Sequence, residues 1–191
     1  MKRIRHTSTP IESYNEGLVV FLYDDAHTDR IQQVGPSILE GFGEDDATDP
    51  KLAELATAGV LVVFELQGDG SLSIELSVGE PLTAVEMAEG GWSLPVQGAR
   101  LFLPSGSLRI ECYNNLQFDP YTEDGEDGEI VSIEPGDYAV SLYRRDLWDD
   151  DDDVDSDNSF AQEVIVLTPH EGSHVEVASP MIRFPTRDSK R

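Results

Sequence analysis

Three short stretches of this 191-residue chain carry residue types whose spacing suggests chemistry. Asp153-Val-Asp155-Ser-Asp157-Asn158 sets carboxylates at positions one, three and five, the spacing that wraps calcium in oxygen ligands. It departs from an EF-hand loop: Asn158 stands where the turn glycine belongs, Val164 where the bidentate acid belongs, and no helix leads in. His170 and His174 form an i,i+4 pair, but across Glu171-Gly172-Ser173 in β-rich sequence they read as a surface pair, not a metal-binding helix face. Asp24-Asp25-Ala26-His27 follows a strand and offers either metal ligands or an acid–base group, without a second cluster to complete the set. No nucleophile elbow, phosphate loop, dinucleotide fingerprint or paired zinc cysteines is present.

Carboxylates dominate the rest. The chain has 38 Asp and Glu against 13 Lys and Arg, for a net charge of -25. Seven of the basic residues lie in the first five and last nine positions, so residues 11–180 keep six against 37 acids, a net of -31. Such a chain lacks the basic footprint that displaces counterions from nucleic acid, which excludes direct DNA or RNA binding. Two stretches are densest. Residues 119–129 hold Asp119, Glu123, Asp124, Glu126, Asp127 and Glu129; residues 146–157 hold Asp146, Asp149, Asp150, Asp151, Asp152, Asp153, Asp155 and Asp157. Three readings fit them. They are hydrated surface, as in a halophile's protein, where Lys is scarce (here three Lys to ten Arg). They are a calcium module built on Asp153, Asp155 and Asp157. Or they are a docking edge for a basic protein, in which Asp124, Glu126, Asp127 and Asp149–Asp153 steer the partner and Trp148 anchors it.

The elements that must position these residues are strands. Period-2 alternation predicts strands at 17–23, 60–66, 71–78, 99–103, 107–113, 129–133, 138–143, 162–167 and 173–178. Gln67-Gly68-Asp69-Gly70, Pro104-Ser105-Gly106 and Glu134-Pro135-Gly136-Asp137 read as hairpin turns. A hairpin about Pro135-Gly136 would bring both acidic stretches to one end of the sheet. Asp49-Pro50 predicts one short helix near 50–58, with a further helical turn around 82–88. The fold expected is all-β, an antiparallel β-sandwich or partly closed barrel. It would be one domain over 1–191, with 1–58 as an optional N-terminal lobe and 181–191 as a basic tail. One cysteine, no apolar run behind the basic N-terminus and no stretch of about 20 apolar residues point to a cytoplasmic protein without membrane spans.

Leu103-Pro-Ser-Gly-Ser-Leu-Arg-Ile110, followed by Ile133-Glu-Pro-Gly-Asp-Tyr-Ala-Val-Ser-Leu-Tyr143, resembles a pattern in small bacterial β proteins of immunity, nuclease-inhibitor and uncharacterised types. The resemblance implies a protein that is not an enzyme and that binds and blocks another protein, often a nuclease or toxin. The Asp-rich stretch at 146–157 lies outside the pattern. An enzyme assembled from Asp24, Asp25, His27 and scattered carboxylates is the reading from another class, and no cofactor is expected beyond the calcium alternative.

The charge makes its own prediction. Repulsion within 11–180 is screened over about 10 Å at 0.1 M salt, so the melting midpoint should rise with sodium chloride. A flat or falling midpoint in a thermal melt series would show that the charge is already neutralised.

Overall fold

The computed structural model describes residues 3–5, 11–15, 19–34, 50–65, 70–112, 129–145, 161–170 and 181–182. Alternating apolar residues place these segments in two stacked sheets. Sheet A holds β1 (Ile4–Arg5), β2 (Ile11–Asn15), β5 (Gly70–Val78), β6 (Val96–Leu103), β9 (Gly136–Arg145) and β10 (Ala161–Pro169). Its order is β1-β5-β10-β9-β6, with β2 also on β5. Sheet B runs β11 (Met181–Ile182), β4 (Leu61–Glu65), β3 (Val19–Asp24), β7 (Ser107–Cys112), β8 (Glu129–Ser132). The fold is all-β, as expected, and the sheets do not close into a barrel. Two pairings depart from the expected antiparallel pattern: β5 runs parallel to β10, and β4 parallel to β11. The strand expected at 173–178 lies outside the described residues.

One core fills the space between the sheets. Val20, Leu22, Val62, Phe64, Leu108 and Ile110 from sheet B meet Ile74, Leu76, Leu101, Val140, Leu142 and Ile165 from sheet A. All six residues of β3 are buried, so its outer face is covered too. Val19, Phe21 and Tyr23 pack there with Val63 of β4 against Ile31 of α1 (Thr28–Gln32) and Leu52 and Leu55 of α2 (Pro50–Thr57). A third helix, α3 (Ala84–Gly90), lies beyond the single expected helix, where the sequence offered only a helical turn. Thr83 and Glu86 form a capping box, which with the Arg3 guanidinium holds the Glu86 carboxyl down to about 2. Met87 and Trp92 cover Tyr143, Val164 and Val166 on the outer face of sheet A.

Two of the turns read as hairpins, 104–106 and 134–137, are corners between sheets, and most of the third, 67–69, lies outside the described residues, between strands of different sheets. The chain leaves β4 in sheet B and enters β5 in sheet A, leaves β6 in A and enters β7 in B, and leaves β8 in B and enters β9 in A. Hairpins and such arches need the same Pro and Gly reversals. Which sheet the next strand joins is decided by where its apolar face finds cover. Gly106 shows the demand at the β6–β7 corner: its φ is +75°, and a Cβ there would run into the Ile133 carbonyl. The consecutive strands that do pair antiparallel are β3 with β4, β7 with β8 and β9 with β10, the last two pairs separated by the two acidic stretches.

Among the described residues, the apolar core contains one ion pair. Arg144 and Glu163 face each other across β9 and β10 on the inner faces, 5% and 1% exposed. Arg144 Nε donates to Glu163 Oε1 at 2.8 Å, and Nη2 donates to the same oxygen. Burial pushes the Glu163 carboxyl up, against the pull of the guanidinium. A carboxyl raised in the folded state weakens the fold as pH climbs past the ordinary carboxylate range and the buried group ionises. Desolvating both groups offsets much of their attraction, whereas removing one partner exposes the full cost of the other. Glu163→Leu should therefore lose about 3–5 kcal/mol of unfolding free energy, and Arg144→Met with Glu163→Leu should return it to the wild-type level or above. Urea denaturation of the three proteins measures this; a double variant as weak as the single would refute it.

Candidate functional site

The strand registers define two ends of the sandwich. At one end the corners β6–β7 and β8–β9 join the sheets, bringing Leu103 and Gly136 of sheet A beside Ser107 and Ser132 of sheet B. At the other end stand Cys112 and Glu129 of sheet B, with Arg145 and Gln162 of sheet A in register. Residues 113–128 and 146–160 attach to these last strand ends. The β8–β9 hairpin expected from the sequence does not form: β8 pairs with β7, β9 with β10 and β6, and the two strands meet at one corner in different sheets. Asp124, Glu126, Asp127, Trp148, Asp149, Asp150, Asp151, Asp152, Asp153, Asp155 and Asp157 themselves lie outside the described residues. Glu129 is described, and it is exposed at the start of β8.

The opposite end holds the polar residues that the sequence offered for metal or acid–base chemistry. Asp24 closes β3 fully buried, and both its oxygens are engaged. Oδ2 accepts from the backbone N–H groups of Ser105 at 3.1 Å and Gly106 at 3.0 Å. Oδ1 accepts from the Ser105 hydroxyl at 2.6 Å and from Ala26 N–H at 2.8 Å, capping the 3-10 turn at Asp25–His27. Asp25 turns outward and accepts from Arg109 Nε at 2.5 Å. The same guanidinium reaches Glu111 at 3.4 Å, and the buried Glu111 accepts from Tyr23 Oη at 2.7 Å. Burial and then the Glu111 carboxylate push the Tyr23 phenol up. His27 stands apart from this chain, 6.1 Å from the Phe102 ring, and burial holds its imidazole below the usual value although Asp24 pulls the other way.

The arrangement does structural work. Asp24 is spent on four donors of its own turns, Asp25 is tied to Arg109, and His27 packs on Phe102. Among the described residues, no three His, Cys, Asp or Glu side chains come together to hold a metal. His170 donates its backbone N–H to the Asp137 carbonyl at 2.8 Å, while His174 lies outside the described residues. Sequence reasoning missed Asp24 as the clasp of a corner 81 residues away in sequence. Its signal was local, since an Asp at a strand end before Asp-Ala reads as a cap, but the cap's distant clients left no trace.

No protein-family model and no curated protein sequence matches the chain. The fold is nonetheless shared with solved structures. One is the product of crocagin biosynthetic gene J, with a TM-score of 0.52 and 16% identity over 90% of this chain and 100% of that one. Another is ComJ from Bacillus subtilis, an inhibitor of the DNA-degrading activity of NucA. Its TM-score is 0.51 and its identity 11%, over 87% of this chain and 99% of that one. The resemblance suspected from the Pro-Ser-Gly and Pro-Gly-Asp-Tyr turns is therefore met as a likeness of fold to such a protein, at low identity. Among the described residues no helix is long and apolar enough to cross a membrane.

Asp24→Ala should cost about 3 kcal/mol or more, because it strands buried N–H donors at Ser105 and Gly106 worth about 1–3 kcal/mol each. Asp24→Asn, which keeps one acceptor oxygen, should fall between. Equilibrium unfolding in urea tests both, and a loss below about 1 kcal/mol for the alanine variant would show that the corner holds without its clasp.

Proposed function

We propose that the protein is a non-enzymatic inhibitor that binds a basic protein partner, with a nuclease the class best supported. The observation that carries this reading is the likeness to ComJ, which extends over nearly the whole of both chains rather than over one motif. The charge is the second support. A nuclease presents a cationic cleft to a polyanionic substrate, and a chain of net charge -25 meets such a cleft with the opposite sign. Opposed fields steer encounter and set the association rate, while apolar anchors hold the complex. In this reading Asp124, Glu126, Asp127 and Asp149–Asp153 supply the field, and Trp148 is the anchor.

The test has two steps. Tagged protein retains partners from a native lysate of its source, and the purified partner's nuclease activity is titrated with the protein. Activity should fall stoichiometrically, and association should slow as salt rises. Replacing Asp149–Asp153 with Asn should shift stability by no more than about 0.5 kcal/mol, yet slow association at low salt by roughly tenfold. If no retained protein loses activity, the inhibitor reading falls. If the five-Asn variant associates as fast as wild type, the Asp run is not the docking edge.

A further inference from the structure

The geometry points to the outer edge of β8 as a docking strand for a basic, extended segment of a protein partner. This inference rests on the reading of the chain as a protein binder and names the element that does the binding. β8 ends sheet B, paired on one side only, with β7. The phase of that ladder is set by Ile133 N–H, which donates to the Gly106 carbonyl at 2.8 Å in the same register. Pairs two residues apart share this phase. Val131 and Glu129 therefore turn their backbone groups toward Leu108 and Ile110 of β7, while Ile130 and Ser132 turn theirs outward. No strand takes up those outward groups among the described residues.

The edges of β6, β11 and β1 differ from it, while β2 is, like β8, paired with one strand among the described residues, β5. The edge of β6 is met at Phe102, whose N–H donates to the Gly59 carbonyl at 2.7 Å. β11 and β1 are two residues each. Val131 of β8 and Ile133, just past its end, anchor the strand in the core, whereas Ile130 remains 49% exposed on the outer face. An incoming strand would gain backbone hydrogen bonds at residues 130 and 132 and apolar cover over Ile130.

Charge selects the occupant. Glu129 and Glu134, both exposed, bracket the edge. The five residue steps from Glu129 to Glu134 span about 17 Å when extended. A second copy of this chain would set these carboxylates against their equivalents, with a net charge of -25 on each side. A segment with Lys or Arg near both ends and β-branched residues between them satisfies the backbone, Ile130 and both glutamates at once.

The probe is the peptide acetyl-Lys-Val-Thr-Val-Thr-Lys-amide, titrated into the full-length protein at low salt while the amide resonances of Ile130 and Ser132 are followed. Both should shift and gain protection from hydrogen exchange. Ile130→Pro removes an outward donor without removing a bond to β7, and should weaken binding at least about tenfold, whereas Ile130→Thr keeps the donor and should retain most of it. Should the proline variant unfold, the same peptide N-methylated on alternate residues gives the equivalent test on wild-type protein. A peptide with Glu at both ends should not bind. Equal binding by the proline variant or the N-methylated peptide overturns the inference, as do the absence of shifts at 130 and 132 and a wild-type dimer in sedimentation that Ile130→Pro dissolves. If Ile130→Pro still inhibits the nuclease as wild type does, the edge is not the docking strand although the inhibitor reading stands. If no nuclease is inhibited but the peptide arms behave as expected, the edge stands without that reading.

Discussion

The buried carboxylate of Asp24 joins the end of its own strand and the turn that follows to a corner 81 residues away in sequence. It ends the central strand of sheet B, caps the turn leading into α1, and accepts the N–H groups of the corner where the chain passes from sheet A to sheet B. That corner matters because the two sheets share one core. If β7 did not turn under β6 at Ser105–Gly106, Leu108 and Ile110 would lose their partners, and β8 would lose the strand it pairs with. A carboxylate accepting charge-assisted hydrogen bonds from turn amides is suited to this task, because it satisfies several donors that no strand could reach.

Placing charge follows the same economy. With 37 acids in residues 11–180, the fold must keep nearly all of them at the surface or matched. The few buried ones are matched: Asp24 by backbone donors, Glu111 by Tyr23 and Arg109, Glu163 by Arg144. Three of the ten arginines are named in these or neighbouring pairs, Arg100 with Asp137 being another such contact. Cations are thus used inside and at the flanks of the sheets, and the field outside is left strongly negative.

That division connects fold to function. The corners tie one end of the sandwich together, and the acidic stretches attach at the other, where strand ends of both sheets stand side by side. Under the proposed inhibitor reading the tasks would be separate: the clasped end would give rigidity, while the acidic stretches and the β8 edge would meet the partner. Metal or acid–base chemistry at Asp24, Asp25 and His27 would compete with the hydrogen bonds that hold the fold.

Much of this was legible in the residues. Alternation located β3 to β10 to within a few positions, because the pleat forces every second side chain into the core. The Pro-Gly and Pro-Ser-Gly turns were rightly read as reversals, and the helix at Pro50–Thr57 followed from its proline, its helix-forming residues and the glycine that stops it. The short strands β1, β2 and β11 went unread: β1 and β11 have two residues each, too few for a period, and β2 offers only Ile11 and Tyr14 as large apolar side chains, out of phase with a period of two. What only the tertiary structure decided was the partner of each strand. A turn's residues specify that the chain reverses, not whether the next strand hydrogen-bonds to the last one or stacks across the core from it. Both outcomes satisfy the same local conformations. The choice rests on contacts between residues far apart in sequence, such as Asp24 with Gly106 and Arg144 with Glu163, and no local pattern encodes those.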